Sequence, residues 1–125
     1  MAATVLLSDR SPDEVLPALG PLALDLKTAP LSVAEVPEVL ALTPAVLLVD
    51  AAENPGQGFA VLRALREHEA AVPIVVVLER RDLERLPWEE VGDELLFPSA
   101  AEGEIRLRLA MLRRRAGASD DTTIR

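Results

Sequence analysis

The chain has 125 residues, enough for one domain with a real core; half are hydrophobic but only 2% aromatic, so that core must be aliphatic. A net charge of -8 and a pI near 4.6 argue against this segment gripping a phosphate backbone, and the absence of cysteine excludes disulfides and thiolate metal sites. No apolar run approaches the roughly 20 residues of a membrane helix, and the N-terminus lacks the basic region of a signal peptide.

Thr4 to Leu7 is a short apolar run that predicts a first strand, ending at Ser8-Asp9-Arg10. Ser11 and Glu14 have capping-box spacing with Pro12 at the first helical position, but Pro17 limits the helix to a short or kinked one. Leu22 to Lys27 alternates weakly, as an edge strand with one exposed face does. Ser32 and Glu35 repeat the capping spacing ahead of Val36, Val39 and Leu40, a second short helix. Ala45 to Asp50 is a continuous apolar run closed by one carboxylate, a buried strand, and a longer helix is expected from about Gly58 to Glu69.

Pro73 to Leu78 is the most β-branched run and predicts a central parallel strand. Asp82 to Trp88 is a weak helical stretch, Glu94 to Phe97 a last short strand, and Ala101 to Arg115 a strong final helix. Residues 116–125 are small, polar and aperiodic, and are expected to be a linker or disordered tail after a domain at 1–115. Strict alternation of strands and helices predicts an α/β fold, a doubly wound parallel sheet of five strands in the order 2-1-3-4-5. Ligands and chemistry in such sheets gather at the carboxyl ends of the strands. Asp9 and Asp50 end neighbouring strands there, so their carboxylates are expected to meet.

Other motifs carry little. Gly56-Gln57-Gly58 has Val61 where a dinucleotide loop needs its third glycine, and His68, between Glu67 and Glu69, reads as a surface residue. No set of residues has the spacing of a nucleophilic triad, a metal cluster or a phosphate loop, so no catalytic residue, metal or cofactor is expected. In the last helix Ile105, Leu109 and Leu112 form a core stripe, while Leu107 and Met111 form a second apolar row among Arg106, Arg108 and Arg114. Either a partner covers that second row or the long arginine stems do.

Asp50, followed eight residues later by Gly58 and Phe59 and then by Arg63 and Arg66, resembles the receiver domain of bacterial two-component response regulators, over Thr4 to Arg115. The resemblance implies the flavodoxin-like or CheY-like receiver fold, with Asp50 at the phosphoacceptor position. The supporting positions depart from it. The acidic pair falls on Asp9 and Arg10, the hydroxyl on Leu78 and the lysine on Pro98; Ser99 replaces the proline that follows that lysine, Pro55 stands one place late, and Leu95 replaces the switch aromatic. A guanidinium where magnesium would sit, and no lysine or hydroxyl for the transferring phosphoryl oxygens, remove the electrostatics of phosphorylation. Either Arg10 bridges to Asp50 in the metal's place, or Arg10 points to solvent and Asp50 caps the following loop.

The segments VLPALGPLALDLKTAP, VLLVDA and DELLFPSAAEGEIRLRLAMLRR look like the atypical receivers of actinobacterial GlnR-type regulators, within the OmpR/PhoB class. That resemblance implies a cytoplasmic, phosphorylation-independent domain, not an enzyme, which continues into a winged-helix DNA-binding domain. It also implies a homodimer through the fourth helix, fifth strand and fifth helix: Leu107 and Met111 at the centre, Asp93 and Glu94 pairing with Arg108 at the rim, and Leu95 between. The alternatives are a receiver weakly phosphorylated at Asp50, and a small-molecule sensor using the degenerate acidic pocket.

Overall fold

The computed structural model describes residues 3–22, 25–68 and 70–124, with only the backbone described at 20–22 and 116–124. Its elements are β1 (Thr4–Leu7), α1 (Pro12–Val15), β2 (Leu26–Ala29), α2 (Val36–Ala41), β3 (Val46–Asp50), α3 (Pro55–Glu67), β4 (Ile74–Val77), β5 (Glu94–Leu96) and α4 (Glu102–Ile124). All five strands are parallel, in the order β2-β1-β3-β4-β5, as expected. β1, β3 and β4 are buried along their whole length, which is why they read as unbroken apolar runs.

Alternation sorts these strands into two cores. Val5, Leu7, Leu47, Val49, Ile74 and Val76 face α2 and α3, against Val36, Val39, Val61, Leu62 and Leu65. Leu6, Val46, Leu48, Val75 and Val77 face the opposite side, against Val15, Leu16 and Leu19 near α1 and Ile105, Leu109 and Leu112 of α4. The helical stripe predicted for the final helix is therefore its core face.

Several boundaries differ from the sequence expectation. The second strand is Leu26–Ala29 rather than Leu22–Lys27: a 3-10 turn over Pro17–Leu22 takes up the first of those residues, and Pro30 stops the strand. Residues 23–24 lie outside the described residues, as does Glu69 at the expected end of the third helix. That helix starts three residues early, because Asn54 Oδ1 accepts from the Gln57 backbone N–H at 3.2 Å and Pro55 supplies a preset first turn. The final helix runs on to Ile124 rather than ending at Arg115; Ala116 and Ala118 favour helix and no proline interrupts it, so the backbone of 116–124 is not the aperiodic tail expected.

The helix expected over Asp82–Trp88 does not form. Two single 3-10 turns, Arg80–Asp82 and Trp88–Glu90, span the connection from β4 to β5. Pro87 has no N–H to give and biases Leu86 away from helix. In place of a helix stripe, one large side chain fills the space: Trp88 is buried, donates from Nε1 to the Asp82 carbonyl at 2.9 Å, and meets Phe59 edge-on at 5.5 Å.

α3 lies very close to the end of β3. A Cβ added at Gly58 would stand 2.5 Å from the Ala51 Cβ and 2.7 Å from its Cα, whereas one at Gly56 would meet nothing nearer than 3.8 Å. Gly58→Ala is therefore expected to destabilise the fold by about 1–3 kcal/mol through forced backbone movement, and Gly56→Ala to stabilise it by about 0.5–1 kcal/mol. Urea melts of the two variants check both signs.

Candidate functional site

Asp50 ends β3 with its side chain buried, only 3% of the residue being exposed. Its carboxylate is fully engaged. Ser8 Oγ donates to Oδ2 at 2.7 Å, Arg10 donates from Nε to Oδ2 and from Nη2 to Oδ1 at 3.1 Å each, and the Ala52 backbone N–H donates to Oδ1 at 3.2 Å. The Ser8 hydroxyl oxygen in turn accepts from the Arg10 backbone N–H at 2.9 Å, which turns the chain so that the guanidinium reaches back over the strand end. Arg10 thus makes a two-pronged pair, the strongest geometry open to a guanidinium and a carboxylate. Its Nε also lies 3.1 Å from Glu53 Oε2, on an exposed side chain. Arg10 therefore reaches Asp50 and does not point to solvent, and Asp50 also caps the loop that follows it.

The hydrogen bonding of Arg10 to Asp50 raises the Arg10 pKa above its ordinary value, against the lowering effect of burial, with the charges of Asp50, Glu53 and Glu14 adding to it. A raised pKa on a basic group stabilises the fold at every pH below its ordinary value, and the contribution is lost only as the pH climbs past the raised one. The pair is therefore fully present at physiological pH.

Asp9 does not join this cluster, contrary to expectation. It is exposed, and its Oδ1 accepts from the Leu31 backbone N–H at 3.1 Å. Strand alternation explains the separation: Leu6 and Ser8 point to the α1–α4 side with Leu48 and Asp50, while Leu7 and Asp9 point to the α2–α3 side, where Leu31 lies. The carbonyl of Leu31 accepts from Gln57 Nε2 at 3.0 Å. Three loops at the strand ends are thus tied by side chains. Leu78, at the hydroxyl position, is fully buried in the α2–α3 core, on the face away from Asp50. Pro98, at the lysine position, is half-buried in the loop after β5. Ser8 is the member that sequence reasoning missed, although the same alternation would have placed its hydroxyl beside Asp50.

The second group of candidate residues is split: Leu107, Arg108, Met111 and Glu94 lie on or beside α4, while Leu95 packs on the α2–α3 face and Asp93 turns to α3. Leu107 and Met111 are 60% and 54% exposed, and Leu95 is half-buried. Glu94 pairs within the chain with Arg108 at 3.3 Å and Arg115 at 3.5 Å, and Arg108 also reaches Glu104 at 3.0 Å. Asp93 is held differently: its Oδ1 pairs with Arg66 at 3.1 Å and its Oδ2 accepts from the Ile74 backbone N–H at 2.8 Å. His68 is exposed, with Nδ1 2.9 Å from the Ala64 carbonyl at the end of α3.

A five-stranded parallel sheet in this order, with an acid at the end of its central strand, is the receiver fold. NtrX from Brucella abortus superposes with a TM-score of 0.76 at 15% identity, over 98% of this chain but only 29% of that one. A response regulator receiver domain from Clostridium thermocellum (TM-score 0.74, 16% identity, 94% and 98% of the two chains) and the receiver domain of TorR, the TMAO respiratory system response regulator (0.71, 20%, 93% and 99%), agree. At such identities these likenesses show the fold alone. Residues 1–113 match the family described as transcription regulator GlnR, N-terminal domain, and the chain belongs to that family: it is the receiver-like domain of a GlnR-type transcription regulator. Comparison with curated protein sequences gives no match. No helix among the described residues is long and apolar enough to cross a membrane.

The receiver fold implies a magnesium ion beside the acid, and the donor set here does not fit one. Magnesium needs several hard oxygens in near-octahedral array. Both Asp50 oxygens carry hydrogen bonds from Arg10, and Asp9 is turned to Leu31, so a divalent cation would meet a fixed guanidinium.

Removing Arg10 would leave a buried carboxylate with only the Ser8 hydroxyl and one backbone N–H. Breaking a buried pair costs about 3–5 kcal/mol; because the Arg10 side chain is one-quarter exposed, Arg10→Ala is expected to cost about 2–3 kcal/mol. An unchanged urea midpoint would show that the pair contributes nothing to the fold.

Proposed function

We propose that this domain regulates without phosphoryl transfer, serving as a dimerisation platform for a winged-helix DNA-binding domain that follows it. The observation that carries the first part is the two-pronged hydrogen bonding of Arg10 to both oxygens of Asp50. A nucleophilic carboxylate needs a free oxygen, a metal or cation to gather the phosphoryl group, and donors for its developing charge. Here the cation grips the nucleophile itself, while the positions for a lysine and a hydroxyl hold Pro98 and Leu78. With the fixed charge of Arg10 in place, Asp50 acts as a structural acid holding the strand ends in one arrangement.

The dimer part of the proposal draws support from Leu107 and Met111, exposed apolar side chains one helical turn apart on α4. Leu95, expected between them, packs instead on the α2–α3 face of the sheet, away from α4, so this row consists of Leu107 and Met111. The ionic rim is occupied within the chain, Glu94 by Arg108 and Arg115 and Asp93 by Arg66. Pairs this exposed contribute about 0–1 kcal/mol each, so exchanging internal partners for those of a second copy costs little and the apolar centre decides affinity. Two copies related by a two-fold axis would present their effector domains to two DNA half-sites.

Incubation with acetyl phosphate and magnesium, followed by intact-mass analysis, is expected to leave the mass unchanged; an adduct of one phosphoryl group, absent in Asp50→Asn, would refute phosphorylation independence. For dimerisation, light scattering should report a dimer that Leu107→Arg converts to monomer. A variant of undiminished mass would remove that face from consideration.

A further inference from the structure

Two arginines in the β4–β5 connection are used neither by the Asp50 cluster nor by the α4 face. The Arg80 guanidinium stacks on Phe97, its central carbon 4.1 Å from the ring centroid. Stacking occupies the flat face of a guanidinium and leaves its in-plane N–H groups pointing outward. Among the described residues, no carboxylate pairs with Arg80. Arg81, with a side chain 80% exposed, is only 3.9 Å from Asp82, whose carboxylate already pairs with Arg85 at 3.1 Å. Both cations therefore have donors to spare on a chain whose net charge is -8.

They border an open cleft of about 320 Å³ together with Glu79, Phe97, Pro98 and Ser99. That volume suits a small molecule. Asp50, Arg10 and Ser8 do not line it, so it is separate from the buried ion cluster. Phe97 gives the site something that two surface arginines lack: one guanidinium is held in place before any ligand arrives, which lowers the ordering cost of binding.

We propose that this cleft binds a compact oxyanion, a carboxylate or phosphate group, gripped edge-on by Arg80 with Arg81 and the Ser99 hydroxyl as further donors. A guanidinium matches either group with two parallel hydrogen bonds. The Glu79 carboxylate on the same wall repels additional negative charge, so the site favours a single small anionic head over a polyanion. The proposal is independent of how Asp50 behaves, since neither Asp50 nor any side chain hydrogen-bonded to it lines the cleft.

The test is a titration of the 125-residue chain followed by amide NMR at constant ionic strength, using inorganic phosphate, acetate and chloride as probes. Saturable shifts at Arg80, Arg81 and Ser99 are expected with phosphate, acetate or both, and which probe saturates identifies the head group. Arg80→Gln, at an exposed position, is expected to weaken that binding by about tenfold or more, while Arg113→Gln on α4 leaves it unchanged. Shifts that never saturate, that chloride reproduces equally, or that survive Arg80→Gln would overturn the site and leave only diffuse screening.

Discussion

A carboxylate buried at the end of the central strand cannot stand alone. Desolvating Asp50 would cost several kcal/mol without compensation, and the carboxyl edge of this sheet is built around supplying it. Apart from the Ala52 N–H, the compensating groups come from the loop after β1, so the interaction joins the neighbouring strands β1 and β3 at the point where ligands enter other members of the fold. The same loop sends Asp9 the other way, to the backbone of Leu31, which Gln57 holds from its other side. A buried ion pair is seldom a source of net stability compared with well-packed apolar residues. What it supplies here is uniqueness: the β1, β2 and β3 loops have one mutually consistent arrangement.

The opposite half of the molecule solves a different problem. With no α-helix between β4 and β5, the sheet face there is covered by Trp88, pinned by its indole N–H and by Phe59. One aromatic side chain does what a helical stripe does elsewhere, in a chain with very few aromatics to spend. On the other face α4 is committed to the core through Ile105, Leu109 and Leu112, and its outward row is apolar as well. That two-sided helix, beside a three-residue edge strand, is the least self-contained part of the surface.

Much of this was legible in the residues. Unbroken apolar runs such as VLLVD and IVVV announce buried parallel strands, and their alternation with amphipathic segments fixes the layer arrangement. The errors had physical sources. A helix was expected before β5 from weak periodicity, but Pro87 and the burial demand of Trp88 prevailed over propensity. The final helix is expected to end at Arg115, before Gly117, although a single glycine costs only about 1 kcal/mol and does not by itself stop a helix. At the strand ends, adjacency in sequence was taken as adjacency in space for Asp9; the two-residue period of a strand separates it from Asp50 and brings Ser8 there instead. The stacked Arg80 was invisible for another reason, since its partner Phe97 lies across a turn of tertiary structure.

The Arg10 guanidinium has one further consequence. A metal ion in such a pocket arrives from solution, and its occupancy follows the ion's concentration and any competing chelator. A cation carried on the chain has a fixed effective concentration set by a short tether. It cannot be depleted, exchanged or removed by chelation, and a buried pair is little affected by ionic strength. The strand ends are thus uncoupled from the cell's divalent ion pool and behave as a constant.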